Sequence, residues 1–282
     1  MSLADLSLRI AHLGSINCGD QAFRVELMRN VVERVNRFQP DLVVVAGDLT
    51  AAGYIWEYEA AAEWLGRIEA PTLVVPGNRD SRNVGYMHFE HLFGERFWRY
   101  RAVFDPVRAE RLRASGVTAV GLDSSEPDLN EGRVGREWYP WLREQFDEPD
   151  DFKLVTLHHH LVAVPGGGRT SSVIQDAGDV LPILADLQVD MTLSGHKRVP
   201  FFWGLSGVFI CNSGTAATWR VRGLIPPSWN EFRIDASTMK VFLHYPDGRR
   251  ELSAVRTRAS RAKLREAFHV TKDFLATNHI SI

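Results

Sequence analysis

The chain has 282 residues, of which 45% are hydrophobic and 24% are charged, so it is long enough to bury a large core. Its formal net charge of -2 gives no strong signal for nucleic-acid binding. The N-terminus lacks a signal-peptide pattern, no apolar run approaches the ~20 residues of a membrane span, and the two cysteines suggest no disulfide framework; together these features predict a cytoplasmic protein.

The first part of the chain alternates between strand and helix patterns. A strand at Leu8 to His12 precedes a helix from about Gln21 to Phe38, in which apolar residues recur at helical spacing. A second strand at Leu42 to Ala46 precedes a helix near Ile55 to Ile68, and a third strand follows at Thr72 to Val75. This alternation predicts βαβ units with parallel strands.

The middle of the chain continues the alternation. It contains a strand at Thr118 to Leu122, a helix near Arg136 to Phe146, a strand at Leu154 to Leu157, a helix near Val180 to Leu187 and a strand at Met191 to Ser194. Residues 82–104, between the third strand and this region, are predicted to form a cap over the carboxyl ends of the strands. Arg82, Arg99 and Arg101 of this segment could bind an anion.

The last third contains short strand patterns with turn signals and no helices between them, which predicts a second sheet packed face to face with the first. The patterns lie at Phe201 to Trp203, Val208 to Cys211, Glu231 to Ile234 and Lys240 to His244. Residues 256–274 resemble a basic, loosely amphipathic helix. We therefore predict an α/β fold, a four-layer α/β/β/α sandwich of two mixed sheets, with one domain over residues 1–250 and a helical extension over residues 251–282 packed on it.

Four of the strand patterns end in a short polar segment that contains potential metal ligands. The segments are Gly47-Asp48-Leu49-Thr50, Gly77-Asn78-Arg79-Asp80, His158-His159-His160 and Gly195-His196-Lys197-Arg198. Because parallel strands deliver the residues at their carboxyl ends to one rim of a sheet, these segments predict a functional site at that rim.

In order and type, the four segments resemble the calcineurin-like metallophosphoesterases, whose pattern is D-x-H, G-D, G-N-H-[DE], a histidine after a strand, and G-H-x-H. The resemblance extends from about Arg9 to Tyr245. It implies a phosphoester hydrolase with two metal ions. Four family residues are replaced, however: Ser15 and Asn17 stand for D-x-H, Arg79 for the histidine of the second glycine segment, and Arg198 for the last histidine.

Sorted by the ion that each residue would bind, the replacements fall on one side of the implied site. The first set would be Ser15, Asn17, Asp48 and Arg198, and the second Asp48, Asn78, His158 and His196. A guanidinium stays protonated and has no lone pair for a cation, so the first set cannot hold a metal ion as the family does. We therefore predict one divalent ion (Mn, Fe or Zn) on the second set and consider a second ion unlikely.

The resemblance also implies roles around the substrate, a phosphate-containing small molecule. Asp48, Arg79 and Arg198 are the predicted catalytic residues, and Arg79, His159, Lys197 and Arg198 are candidate substrate contacts. Arginines cannot protonate a leaving group at neutral pH, so a leaving group that needs no proton is favoured. Among the other polar residues, His12 is predicted to be a core histidine, Asp80 a support for the asparagine loop, and Asp20 and Asp123 turn formers.

Two functions remain open at this point. The first is a phosphoesterase for a phosphomonoester, phosphodiester or nucleotide, with one metal site retained. The alternative is a catalytically inactive pseudophosphoesterase that serves as a ligand-binding or protein-interaction module. The sequence leaves the oligomeric state open.

Overall fold

The computed structural model describes residues 6–168, 173–222 and 224–258. Its helices are α1 (Val25–Phe38), α2 (Ile55–Leu65), α3 (Gly85–Phe93), α4 (Pro106–Leu112), α5 (Tyr139–Glu144) and α6 (Ala177–Asp186). Its strands are β1 (Leu8–Leu13), β2 (Leu42–Ala46), β3 (Thr72–Val75), β4 (Trp98–Val103), β5 (Gly116–Leu122), β6 (Phe152–Leu157), β7 (Met191–Ser194), β8 (Phe201–Leu205), β9 (Val208–Asn212), β10 (Trp229–Ile234), β11 (Thr238–His244) and β12 (Arg250–Thr257).

The strands form two mixed six-stranded sheets. The first has the order β12-β11-β10-β1-β2-β3, in which β1, β2 and β3 are parallel and β10 to β12 are antiparallel. The second has the order β4-β5-β6-β7-β9-β8, with four parallel strands between two antiparallel edge strands. The carboxyl ends of β1, β2, β3, β6 and β7 therefore supply the rim at which the polar segments lie.

Alternation of side chains along the strands builds the layers. In β2, Leu42 and Val44 pack against the second sheet, whereas Val43 and Val45 pack against the helices on the outer face. A third apolar cluster joins the outer face of the second sheet to α5 and α6 through residues such as Val155 and Leu184. These three cores separate four layers, so the predicted α/β/β/α sandwich is confirmed.

The last third of the chain corrects the predicted assignment of strands to sheets. The short strands do not form a sheet of their own, because β8 and β9 complete the second sheet and β10 to β12 extend the first. A Pro246-Asp247-Gly248 turn connects β11 to β12, which occupies residues 250–257, where the helical extension was predicted to begin. The rest of that predicted extension, from residue 259, lies outside the described residues.

Two other segments differ from their sequence patterns. Helix α1 begins at Val25 rather than Gln21, because Asp20 accepts a hydrogen bond from the Ala22 amide and residue 23 pairs with residue 218 instead. The predicted cap at residues 82–104 contains α3 and the edge strand β4. Arg99 and Arg101 form ion pairs with Asp147 and Asp151 on the outside of the second sheet, so only Arg82 of the predicted anion contacts reaches the site.

Among the described helices, none is long and apolar enough to cross a membrane.

Candidate metal centre

Five non-glycine residues at the rim adopt the left-handed backbone conformation. They are Ser15, Asn17, Asp48, His196 and Arg198, with φ between 51° and 62°. This conformation costs of order 1–3 kcal/mol for such residues, and it is retained where the surrounding structure requires it. Positive φ values thus occur in both predicted ligand sets, at Asp48 and His196 of the second and at Ser15, Asn17 and Arg198 of the first.

Two glycines allow these loops to approach each other. A Cβ atom on Gly47, whose φ is +73°, would lie 2.5 Å from His158 Nδ1. A Cβ atom on Gly77 would lie 2.5 Å from the Asp48 amide nitrogen. Any larger residue would separate the asparagine loop and the histidine strand from the aspartate, so both glycines are needed for the geometry of the site.

Four potential ligand atoms converge on the retained side. His158 Nε2 lies 3.2 Å from Asn78 Oδ1, 3.1 Å from His196 Nδ1 and 3.4 Å from Asp48 Oδ1, and Asn78 Oδ1 lies 3.0 Å from His196 Nδ1. Ligands about 2.1 Å from a metal ion are about 3 Å apart in octahedral and about 3.4 Å apart in tetrahedral coordination. The spacing therefore fits a single ion.

The protons at this point can be assigned from neighbouring groups. His158 Nδ1 lies 2.8 Å from the Ala46 carbonyl and must donate to it, which leaves a lone pair on Nε2 in the neutral ring. Asn130 Oδ1 accepts from Arg82 Nη2 at 2.7 Å and from Asn78 Nδ2 at 3.1 Å. Because a guanidinium only donates, the amide of Asn130 is fixed, and so is that of Asn78, whose oxygen faces the histidines.

The charge state of His196 completes the donor set. Burial, together with the neighbouring His158, His159 and His160, lowers the pKa of His196 far below its usual range, so its ring is neutral. A carboxylate oxygen, an amide oxygen and lone-pair nitrogens thus face one another with almost no protons between them. Such a donor set is suited to a divalent cation.

On the other side of Asp48, an arginine lies where the family resemblance implies the first metal ion. Arg198 Nη2 lies 2.6 Å from Asn17 Oδ1 and 3.5 Å from Asp48 Oδ2, and its Nη1 donates to the Arg220 carbonyl at 3.2 Å. Ser15 Oγ is buried and has no hydrogen-bond partner among the described residues. The Arg198 guanidinium thus places a fixed positive charge against Asn17 and Asp48, two residues of the first predicted set.

Arg79 adds a second positive charge at the same carboxylate. Its Nε lies 3.7 Å from Asp48 Oδ2, and its backbone amide donates to Oδ1 at 3.3 Å. Burial alone would raise the pKa of Asp48, but neighbouring groups, among them the guanidinium groups of Arg198 and Arg79 and the Arg79 backbone amide, hold that pKa below its usual value. Asp48 is therefore a carboxylate that bridges the two halves of the centre.

Asp80 supports the loops behind the ligands, as predicted. Its carboxyl group accepts hydrogen bonds from the Leu49 amide at 3.1 Å, the Thr50 hydroxyl at 2.7 Å and the Gly77 amide at 2.8 Å. Burial and the charge of Asp48 raise the pKa of Asp80 to about 7. This one side chain ties the aspartate loop to the asparagine loop.

The neighbouring histidines, His159 and His160, form hydrogen bonds with residues around the site. His159 is fully buried, its ring nitrogens lie 3.0 Å from Ser124 Oγ and 3.2 Å from the Asn130 carbonyl, and burial lowers its pKa to about 3. His159 does not line the open cleft beside the site, which does not favour the predicted contact with substrate. His160 turns toward Asn212 Nδ2, at 2.9 Å.

His12 is the predicted core histidine. It is fully buried in β1, its Nδ1 lies 3.2 Å from Asn230 Nδ2, and burial lowers its pKa to about 3.

The site opens into a cleft of about 420 Å³ that contains residues not identified from the sequence. Arg220 and Arg222 come from the segment after β9, and Asn130 and Glu131 come from the loop after β5. These positions follow no strand directly, so no periodic signal marked them. Asp20 shapes its turn as predicted, but its Oδ2 also lies 2.8 Å from Arg220 Nη1 and 3.4 Å from Arg79 Nη1.

Comparison with known proteins agrees with this arrangement of strands and ligands. A family model described as calcineurin-like phosphoesterase matches residues 8–200. The chain belongs to the calcineurin-like phosphoesterase family. Membership in this metallophosphoesterase family implies the use of divalent metal. One ring nitrogen from each of His158, His159 and His196 lies within 4.8 Å of the others, and in this cluster the His159 nitrogens are already hydrogen-bonded to Ser124 and Asn130.

Individual relatives are similar at low identity. A probable cyclic nucleotide phosphodiesterase of Synechococcus is 24% identical over 70% of this chain and 72% of its own length. A probable glycerophosphodiester phosphodiesterase of Arcobacter nitrofigilis is 29% identical over 46% of each protein. The purple acid phosphatase of yellow lupin superimposes with a TM-score of 0.61 at 14% identity, covering 89% of this chain and 53% of the phosphatase, which supports the fold alone.

Proposed function

We propose that this protein is a phosphoesterase for a phosphate-containing small molecule, with one divalent ion bound by Asp48, Asn78, His158 and His196. The observation that carries the proposal is the convergence of their ligand atoms at 3.0–3.4 Å, with lone pairs directed at one another. Named relatives that act on cyclic nucleotides and glycerophosphodiesters support this reaction class.

Arg79 and Arg198 are proposed to supply the positive charge that the second metal ion provides in the family. Arg198 and Arg79 flank Asp48 and line the cleft. Two guanidinium groups can hold the oxygens of a phosphoryl group by charge-assisted hydrogen bonds and stabilise the negative charge that develops on them. Asp48 keeps both arginines in place, and Lys197 adds a further positive charge to the wall.

The metal ion would polarise a phosphoryl oxygen and lower the pKa of a bound water. Because Arg79 stands where the family has a histidine, the cleft offers no imidazole at that position to protonate the leaving group. We therefore expect esters with acidic leaving groups, such as p-nitrophenol, to be hydrolysed faster than alkyl esters.

A second candidate is a binding protein without turnover. The observation that favours it is Arg198 itself, whose Nη2 lies 2.6 Å from Asn17 Oδ1. In that position a guanidinium would exclude the second metal ion that a two-metal mechanism requires. The same anion and metal sites would then bind a ligand without hydrolysing it.

Metal content and turnover separate these functions. Elemental analysis of the purified protein should find about one equivalent of Mn, Fe or Zn, and p-nitrophenyl phosphate or bis-p-nitrophenyl phosphate should be hydrolysed. His158→Ala should remove both the metal ion and the turnover, whereas His91→Ala, at an exposed position in α3, should change neither. Two equivalents in the wild type would contradict the single-ion assignment, and one equivalent without turnover would select the binding protein.

A further inference from the structure

The cleft is much more positive than the protein as a whole. It is lined by the six cationic side chains Arg79, Arg82, Lys197, Arg198, Arg220 and Arg222, against the carboxylates of Asp48 and Glu131, whereas the chain carries a formal net charge of -2. A cleft lined by one sign of charge focuses the field and attracts ions of the opposite sign. A bound divalent cation would increase this imbalance.

The inner cations are already committed to acidic groups. Arg79 and Arg198 both lie beside Asp48, and Arg220 is paired with Asp20 at 2.8 Å. Arg79 and Arg198 adjoin the proposed metal ligand Asp48 and belong, under the proposed function, to the phosphoryl group that is hydrolysed.

Two further arginines stand apart from these pairs. In the part of the chain that the structure describes, Arg82 donates to Asn130 Oδ1 at 2.7 Å and Arg222 donates to the Gly167 carbonyl at 3.2 Å, and neither forms an ion pair. Both contacts are to neutral oxygens and leave most of the five N–H donors of each guanidinium available. Arg82 belongs to the loop after β3 and Arg222 to the segment after β9, so two loops direct uncompensated charge into one cleft.

The positions of both groups are restrained by their neighbours. Asn130, which accepts from Arg82, also accepts from the proposed metal ligand Asn78 at 3.1 Å. Gly167, which accepts from Arg222, lies against Lys197, since a Cβ atom on it would be 3.3 Å from Lys197 Cγ. Arg82 is therefore attached to the structure immediately around the metal centre, whereas Arg222 is an exposed side chain whose guanidinium is held at the cleft by the Gly167 carbonyl.

We propose that Arg82 and Arg222 form a second phosphate subsite, so that the preferred ligand carries a phosphate group in addition to the one at the metal centre. This inference rests on the proposed function for the inner site. A cleft of about 420 Å³ falls within the usual range for small-molecule sites and accommodates more than a single phosphate group. The ligand class is a small bisphosphate or diphosphate compound.

Binding can be tested without relying on turnover. Isothermal titration calorimetry measures the dissociation constants of adenosine 5′-monophosphate, adenosine 5′-diphosphate and adenosine 3′,5′-bisphosphate. These ligands share one nucleoside and differ in the number and spacing of their phosphate groups. At least one of the two doubly phosphorylated ligands should bind about tenfold more tightly than the monophosphate. Phosphate release is measured in the same samples so that hydrolysis during the titration is recognised.

Arg222→Ala is the principal variant because, among the described residues, this side chain makes one hydrogen bond, to the Gly167 carbonyl. It should abolish the preference for the second phosphate and change the affinity for the monophosphate less than twofold. Arg82→Ala should also abolish the preference for the second phosphate, and its metal content is measured alongside because Asn130 links Arg82 to the proposed metal ligand Asn78. Arg29→Ala, at an exposed position in α1, is the matched control that should leave the preference intact. Circular dichroism verifies that each variant is folded.

The outcomes distinguish this inference from the proposed function. If the second phosphate adds no affinity in the wild type, or if Arg222→Ala weakens all three ligands equally, the second subsite is refuted even where phosphate esters are hydrolysed. If the preference depends on Arg222 but no ester is hydrolysed, the subsite stands and the proposed catalytic function fails.

Discussion

Asp48 divides the centre into two regions that handle its negative charge differently. On one side, Asn78, His158 and His196 direct an amide oxygen and ring nitrogens at one point; on the other, Arg198 and Arg79 supply the positive charge themselves. The first arrangement is complete only with a cation, which chelators or competing ions can remove. The second carries a charge that cannot be exchanged, since a guanidinium is not deprotonated in proteins. Under the proposed function, similar loop conformations thus support one replaceable cation, the metal ion, and one permanent cation, the guanidinium.

Asp48→Asn should have the largest effect because both regions depend on this carboxylate. The variant should lose its metal ion. Arg198, which is only 6% exposed, should lose its counterion, whereas Arg79 keeps Asp20 at 3.4 Å. Breaking buried ion pairs in this way costs about 3–5 kcal/mol. Urea unfolding and elemental analysis measure the two effects, and unchanged stability would show that the arginines do not depend on Asp48.

The triple variant Ser15→Asp, Asn17→His and Arg198→His should convert the arginine region into a metal region. The left-handed backbone at all three positions is already present, so the new side chains should be directed at the shared carboxylate. We expect metal content to rise from about one to about two equivalents. Metal content that stays at one equivalent would show that these residues do not correspond to a former ligand set.

Arg198→Lys keeps a positive charge but removes the planar group that contacts Asn17, Asp48 and the Arg220 carbonyl. Turnover of p-nitrophenyl substrates should fall about 10- to 100-fold while the metal content stays constant. Arg29→Lys, at an exposed site in α1, is the matched control and should behave as the wild type. A loss of metal in Arg198→Lys would mean that the two regions are not separable.

Glu231, a buried carboxylate away from the site, allows the effect of acid on overall stability to be separated from its effect on the metal centre. Burial would raise the pKa of Glu231, but hydrogen bonds from His244 at 2.5 Å, Arg250 at 2.5 Å and Arg233 at 2.6 Å outweigh it and lower that pKa strongly. A lowered folded-state pKa contributes stability above the unfolded value of about 4.3 and loses it as the pH falls below that value.

Glu231→Gln should therefore reduce the free energy of unfolding by about 2 kcal/mol at pH 7 and by less at pH 3. The pH at which metal is released should be the same as in the wild type, because Glu231 does not contact the centre. Metal release that shifts together with stability would show that acid acts on the centre only through global unfolding.

The sequence predicted those parts of the site that strand ends define. Asp48, Asn78, His158 and His196 each follow a buried strand, and their convergence depends only on parallel strands ending at one rim. Asn130, Arg220 and Arg222 come from irregular loops, where neither periodicity nor a motif constrains the position. The strand β12 was missed because the basic, loosely amphipathic pattern at residues 256–274 led to a helical extension being assigned from residue 251. Its pairing with β11 follows from the turn at residues 246–248.

Assignment of strands to sheets was also beyond the sequence patterns. β10 pairs with β1 from the opposite end of the chain, and β9 pairs with β7, with Met191 opposite Phe209 only 18 positions later. Both have similar apolar character, so composition gives no preference between the two sheets. Packing of the whole sandwich decides that choice.

Asn130 contacts both functional parts of the cleft. Its side-chain oxygen accepts from Asn78 and from Arg82, and its carbonyl oxygen lies 3.2 Å from His159 Nε2. Under the proposed functions, an ion on Asn78 and a phosphate on Arg82 therefore act on one shared amide. Thermodynamic linkage makes such an effect mutual: if occupancy of the outer position changes metal affinity, metal changes affinity at the outer position by the same factor. Cofactor retention would then report the ligand concentration around the protein.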